Sequence, residues 1–263
     1  MRISPFFGLM AGLCAIALLL VVGPLVVVFM LSFTGAETLR FPPEVFSLRW
    51  YRALADTPEI TRALLTSLEI AVWTTLLAVL IGVPAALAVV LGGGRAARVA
   101  DSLFMAPMLL PAIALGLALL MMFSSLSIGL SKWTLIAGHV LICVPYILRT
   151  TVASGAALDP ALLEASRSLG ASFTYTLRRI VLPLVRGGVV AGAFIAFMMS
   201  FDHVPVSLFL ADARTEVLPI RLWYLIFHTL DVRTAAVSGV MIAATFLLIA
   251  VMERTTGLSR HLR

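Results

Sequence analysis

Six stretches of this chain, residues 9–33, 63–91, 103–126, 133–148, 184–201 and 235–252, stay apolar for long enough to cross, or nearly cross, the hydrocarbon of a bilayer. Nothing else in the sequence constrains folding as much. In lipid a backbone must satisfy its own hydrogen bonds, so only helices and closed barrels can span it. The runs are continuous and lack the lipid-facing, lumen-facing alternation of barrel strands, which selects helices. Composition agrees: 61% of residues are apolar and 12% charged, too little polar surface for a soluble domain. The expected fold class is an all-α membrane protein of six transmembrane helices.

The first run follows Arg2 as a secretory signal would, but it exceeds the length of a signal's apolar region and lacks a small-residue cleavage site. It reads as a retained helix with no soluble domain ahead of it. The expected organisation is therefore a first helix with its extracytoplasmic segment (1–62), a core of five helices (63–254) and a short cytoplasmic tail (255–263).

The formal charge of +6 does not point to nucleic acid, because the basic residues are scattered among the loops rather than gathered on one face. They read as topology signals. One side holds Arg2, Arg95, Arg98, Arg149, Arg167, Arg178, Arg179, Arg186, Arg254, Arg260 and Arg263, opposed only by Asp101, Asp159, Glu164 and Glu253. The other side balances Arg40, Arg49, Arg52, Arg62, Lys132, Arg214, Arg221 and Arg233 with Glu37, Glu44, Asp56, Glu59, Asp202, Asp212, Glu216 and Asp231. The basic excess places both termini, the triple-glycine turn at 92–95 and the loop after the fourth run in the cytoplasm. Segments 34–62 and 202–234 then lie outside, where Trp50, Tyr51, Trp223 and Tyr224 suit interfacial anchoring.

The loop at 159–183 is too ordered to be a simple connection. Asp159 caps a helix whose first position is Pro160, Leu162, Ala165 and Leu169 share a face, and Gly170 supplies a left-handed stop. Ser172 caps a second helix over 173–182, which Pro183 separates from the fifth run. The apolar stripe must be buried against either the bundle or a soluble partner.

Glu164-Ala165-Ser166, three residues, Gly170, nine residues, Ile180, one residue and Leu182-Pro183 resembles the EAA motif of ABC importer permeases, with Ser166 in place of a second alanine. Phe41-Pro42-Pro43, Phe46-Ser47-Leu48-Arg49-Trp50-Tyr51, the run from Ser200 through Asp202, His203 and Pro205 to Leu210, and Leu218-Pro219-Ile220 resemble the spermidine/putrescine permease branch in the same order. His203 departs from that branch, which often carries an acid or amide there.

The resemblance implies the type I importer permease fold in a bacterial inner membrane, with the loop's first helix docking as a coupling helix in an ATPase. Glu164, Ala165, Ser166, Gly170, Ile180, Leu182 and Pro183 are its coupling residues. It also implies a second permease subunit, two ATPase subunits that use ATP and Mg, and an extracytoplasmic binding protein. The implied cargo is a small organic solute, polyamine-like or an amino acid or opine.

No cofactor, metal or catalytic group is expected on this chain itself. It has no phosphate loop, no HExxH and no paired cysteines, and Cys14 and Cys143 read as small core residues. A membrane enzyme would need polar groups converging at depth, and the candidates are Glu69, His139, Arg149 and Asp202 with His203. An ion-coupled transporter or channel would need no coupling loop.

Glu69, near the outer end of the second run, costs about 2 kcal/mol or more as a carboxylate unless it faces water or a partner. Glu69, Phe201, Asp202 and His203 are the candidate pathway residues, with a helix-terminal cap explaining Asp202 equally well. His139 reads as a histidine bonded to a neighbouring helix, and Arg149 as the cytoplasmic end of the fourth run. Gly187, Gly188, Ala191, Gly192 and Ala193 permit close helix approach, within this subunit or from another.

Overall fold

A computed structural model describes residues 5–229 and 232–256. Arg2, Asp231, Arg260 and Arg263 of the charge argument, and residues 257–263 of the expected tail, lie outside the described residues. Among the described residues twelve α-helices follow in order: α1 (Pro5–Leu31), α2 (Arg49–Ala55), α3 (Pro58–Gly92), α4 (Gly94–Leu109), α5 (Ala112–Ser125), α6 (Lys132–Gly155), α7 (Pro160–Ser168), α8 (Phe173–Thr176), α9 (Leu182–Phe201), α10 (Val204–Leu210), α11 (Leu218–Tyr224) and α12 (Arg233–Thr256). Turns of π-helix, Leu177–Val181 and Leu225–Thr229, follow α8 and α11. Among the described residues, five helices are long and apolar enough to cross a membrane, and the bent pair α4–α5 makes a sixth when counted as one span.

Two expected helix boundaries are corrected. The run at 103–126 is not one rod, because α4 and α5 meet at 102°. Leu110, preceding a proline, is extended at ψ 141°, and Pro111 opens α5 as its N-cap with ψ 126°. Conversely, Pro183 breaks nothing: 173–201 is one continuous span. The amide of Leu182 bonds the Leu177 carbonyl five residues back, and Pro183 occupies the first turn of the register that follows, where its missing N–H costs little. The second arm of the 159–183 loop is thus the beginning of the fifth span.

The described residues form two compact units, one within 1–61 and 222–248, the other within 62–221 and 249–263. In the first, α1 is exposed along its spanning window, Cys14 included, so Cys14 is not a core residue within this chain. The following segment folds back through the Thr34–Phe46 bridge. Tyr51 is tied to it, its hydroxyl 2.7 Å from Ser32 Oγ, and the Trp50 indole donates to the Ala36 carbonyl at 3.1 Å. These two aromatics therefore hold their own segment together as well as suiting an interface.

In the second unit α6 is the centre. Leu135, Ile136, Cys143, Ile147 and Leu148 are at most 1% exposed, whereas both flanking spans keep apolar faces open. Lipid is as apolar as leucine, so close packing and polar links hold such a bundle. Glycines supply the close packing. A Cβ at Gly188 would collide with Ser154 Oγ and the Thr150 carbonyl, and one at Gly192 with Thr150 Oγ1. Those two glycines therefore serve contact within this subunit, while Gly187 faces open space.

Candidate functional site

Residues 159–183 form a rigid elbow. The Asp159 carboxylate accepts from the Ala161 amide at 2.9 Å, with Pro160 at the first helical position of α7. At the other end Gly170 sits at φ +74°, the Ala171 amide donates to the Ser166 carbonyl at 3.1 Å, and the Gly170 amide to that of Arg167 at 2.9 Å. This paired bonding is the Schellman arrangement, which needs a left-handed residue at that point. Ser172 Oγ then accepts from the Tyr175 amide at 3.3 Å and starts α8.

The two arms are joined across the elbow by buried hydroxyls, Ser166 Oγ and Thr176 Oγ1, 2.7 Å apart. Here an alanine would leave Thr176 without its partner in α7. Leu163 and Ser166 turn inward, while Leu162 (47% exposed), Leu169 (87%), Phe173 (68%) and Tyr175 (57%) stay outside. Among the described residues, none covers the loop's apolar face. Glu164, Ala165, Gly170 and Pro183 are exposed, and Ile180 and Leu182 are half-buried.

The candidate pathway residues are not brought together. Asp202 is exposed and forms the C-cap of α9. His203 turns the other way, buried, its Nδ1 accepting the Val206 amide at 3.3 Å as the N-cap of α10. Phe201 is buried and stacked on Phe197 at 6.1 Å. Glu69 lies on α3 with its Oε1 2.7 Å from the Lys132 ammonium. Lys132 was missed in the sequence as a partner, although Ser131 and Thr134 around it form a capping box, the signature of a helix start.

His139 is fully buried between three helices. Its Nδ1 lies 2.8 Å from Ser200 Oγ on α9, its Nε2 3.0 Å from Ser207 Oγ on α10, and its ring 5.7 Å from that of His203. Ser200 and Ser207 carry no sequence signal that marks them as its partners. Arg149 does not end its span: α6 runs on to Gly155, and Arg149 reaches sideways to Asp101 (3.6 Å) and Met105 Sδ (2.8 Å) on α4. Outside the spans, Asp212 accepts from Thr215 Oγ1 and from the Arg214 amide, and the Thr215 hydroxyl holds its carboxyl below the usual range. That turn delivers the Leu218 amide to Ser67 Oγ on α3 at 2.8 Å.

α10 is an unexpected element. Segment 202–234 reads as an external loop, yet α10 packs back against α5 and α6, with Val206, Ser207 and Leu210 unexposed. Gly116 and Gly138 make the space. A Cβ on the first would lie 2.9 Å from the Pro205 carbonyl oxygen, and one on the second 2.6 Å from a Leu210 methyl. The polar sequence around the helix hid a short apolar face that only the bundle reveals.

Comparison with known proteins accords with this geometry. The family model for the binding-protein-dependent transport system inner membrane component matches residues 78–261, which contain the elbow, the α4–α5 bend and α10. The spermidine/putrescine transport system permease protein PotC of Haemophilus influenzae is 31% identical over 216 residues, 82% of this chain and 84% of that protein. The PotC of Escherichia coli K12 is 27% identical over 226 residues, 86% of this chain and 85% of that protein. Among solved structures, a bacterial ABC transporter involved in the import of the acidic polysaccharide alginate superposes with a TM-score of 0.70 at 14% identity, covering 99% of this chain and 96% of that one. At that identity the likeness speaks for the fold alone, the type I permease fold. An elbow of this build, set in a bundle of multi-pass apolar helices and matched along most of its length, means that this chain belongs to the binding-protein-dependent transport system inner membrane component family, as the permease subunit of an ABC importer.

Proposed function

We propose that this permease admits a small polyamine-like cation, and that residues 159–183 carry the movement of an ATPase into the spans. The observation that carries the coupling role is the uncovered face of the elbow, where Leu162, Leu169, Phe173 and Tyr175 surround the Gly170 turn. Because α8 runs without a break into α9, a push on the elbow reaches the fifth span through one helix, and through Gly188 and Gly192 reaches α6.

In this reading Glu164, Ala165 and Gly170 meet the ATPase, Ser166 locks the elbow, and Ile180, Leu182 and Pro183 belong to the lever. Hydrolysis of ATP with Mg takes place in two separate ATPase subunits. A second permease subunit completes the passage, an extracytoplasmic binding protein delivers the solute, and both termini and the elbow face the cytoplasm. The names of the PotC relatives support the polyamine class. Glu69, Phe201, Asp202 and His203 are the pathway positions, of which Glu69 and Asp202 carry the carboxylates a cation needs.

The assembled importer, reconstituted with its ATPase and binding protein, is expected to take up putrescine or spermidine in an ATP-dependent manner. Leu169→Asp is expected to abolish uptake and dissociate the ATPase while the permease stays inserted. Uptake that survives removal of the ATPase would overturn the coupling role.

A further inference from the structure

Glu69 is the one pathway position set among aromatic side chains and an ammonium group. It lies one turn before Trp73 on α3, and the first residues of α6 face both. Lys132 Nζ is 2.7 Å from Glu69 Oε1 and 5.8 Å from the centre of the Trp133 ring. The Trp73 and Trp133 rings meet at 6.2 Å and 62°. A carboxylate and an indole face thus receive a primary ammonium, with a second indole alongside.

Resting on the polyamine reading above, we infer that Glu69, Trp73 and Trp133 form a recognition site for a primary ammonium group of the solute, and that the Lys132 ammonium is an internal competitor for it. The lysine is poorly explained as a structural device. It occupies the first turn of α6, where the helix dipole disfavours a cation. The pair is also 34% and 46% exposed on its two side chains, so it adds little to stability.

An incoming ammonium of the same chemistry replaces Lys132 with small net change, because the carboxylate and the indoles are satisfied either way. Such an exchange suits a passage, where binding must be strong enough to select and weak enough to release. The position fits an entrance. Glu69 is eleven residues into α3, about 16 Å along its axis, level with the start of α6. In the proposed orientation that end is extracytoplasmic. The indole faces also cover the methylenes between a polyamine's charges.

The test uses the assembled importer in proteoliposomes with Cys14→Ser and Lys132→Cys, and follows modification of the new thiol by a methanethiosulfonate reagent. Putrescine is expected to protect the thiol in a dose-dependent way, and Glu69→Gln to shift half-protection at least about tenfold upward. In the importer without the cysteine changes, Lys132→Gln is expected to lower the half-maximal putrescine concentration and Glu69→Gln to raise it. A purely structural pair moves both variants in the same direction. Uptake of putrescine by the wild type with no protection at position 132, or with both variants shifted alike, overturns the site and leaves the polyamine reading standing. A wild-type importer that takes up neither putrescine nor spermidine overturns the polyamine reading and this site with it.

Discussion

Two short helices, α7 and α10, begin almost identically and end in opposite surroundings. Each is capped by a side chain, Asp159 in one and His203 in the other, and each has a proline in its first turn. Yet α7 leaves Leu162 and Leu169 to the outside, while α10 buries Val206, Ser207 and Leu210 against α5 and α6. Capping chemistry decides that a helix starts. It says nothing about what the helix then packs on, and the glycines of the receiving helices decide that. α10 has Gly116 and Gly138 opposite it, whereas α7 has one buried link, Ser166 to Thr176, and an open apolar face.

Filling the α10 cradle should break this contrast most severely. Gly138→Leu places a side chain where Leu210 and Val206 already sit and is expected to cost about 3 kcal/mol or more, seen as loss of monodisperse protein in detergent or a large fall in Tm. A variant as stable as the wild type would mean that α10 is not seated there. Next in size, His139→Ala removes the polar bridge from α6 to α9 and α10 and leaves Ser200 and Ser207 without it. The expected loss is about 2 kcal/mol, again in Tm, with ATPase binding at the elbow retained.

Gly170→Ala addresses the exposed partner of the comparison. At φ +74° with nothing within 4 Å of an added Cβ, the strain is purely conformational, about 1 kcal/mol. Stability should fall little, while solute-stimulated ATP hydrolysis in the reconstituted importer should fall severalfold. Equal losses in both measurements would make the elbow an ordinary structural turn.

These differences mark what the sequence could and could not convey. Asp159, Gly170 and Ser172 act within a few residues of themselves, so their caps and the left-handed stop were legible. The α4–α5 bend was half-legible: Pro111 stood inside an apolar run, and apolarity alone hid the extended Leu110 before it. Pro183 misled in the opposite direction, because a proline in a first turn is neutral once the preceding π-turn has shifted the register. The seat of α10, the partners of His139, the Lys132 side of Glu69 and the reach of Arg149 to Asp101 depend on residues tens of positions away. A one-dimensional pattern of apolar runs does not encode which faces meet.

The smallest expected effect is at Ser166, and it is the sharpest on the elbow. Ser166→Ala restores the alanine of the motif that the segment resembles, so a reading from the motif alone expects no change. The geometry expects a loss, since Thr176 keeps only its 3.3 Å bond to the Ser172 carbonyl and the link between the arms is gone. One hydrogen bond between buried hydroxyls is worth about 0.5–1.5 kcal/mol. Most of that should appear as faster amide exchange in residues 160–176 rather than as a lower global Tm, because the elbow stands outside the close-packed bundle. Thr176→Val, which also loses the longer bond to the Ser172 carbonyl, should give the same exchange pattern to a slightly greater extent, and the double variant should add little to Thr176→Val, because the link between the arms is already gone in it. Additive losses would mean that the two hydroxyls stabilise their arms independently and that the elbow owes its rigidity to the Gly170 turn alone.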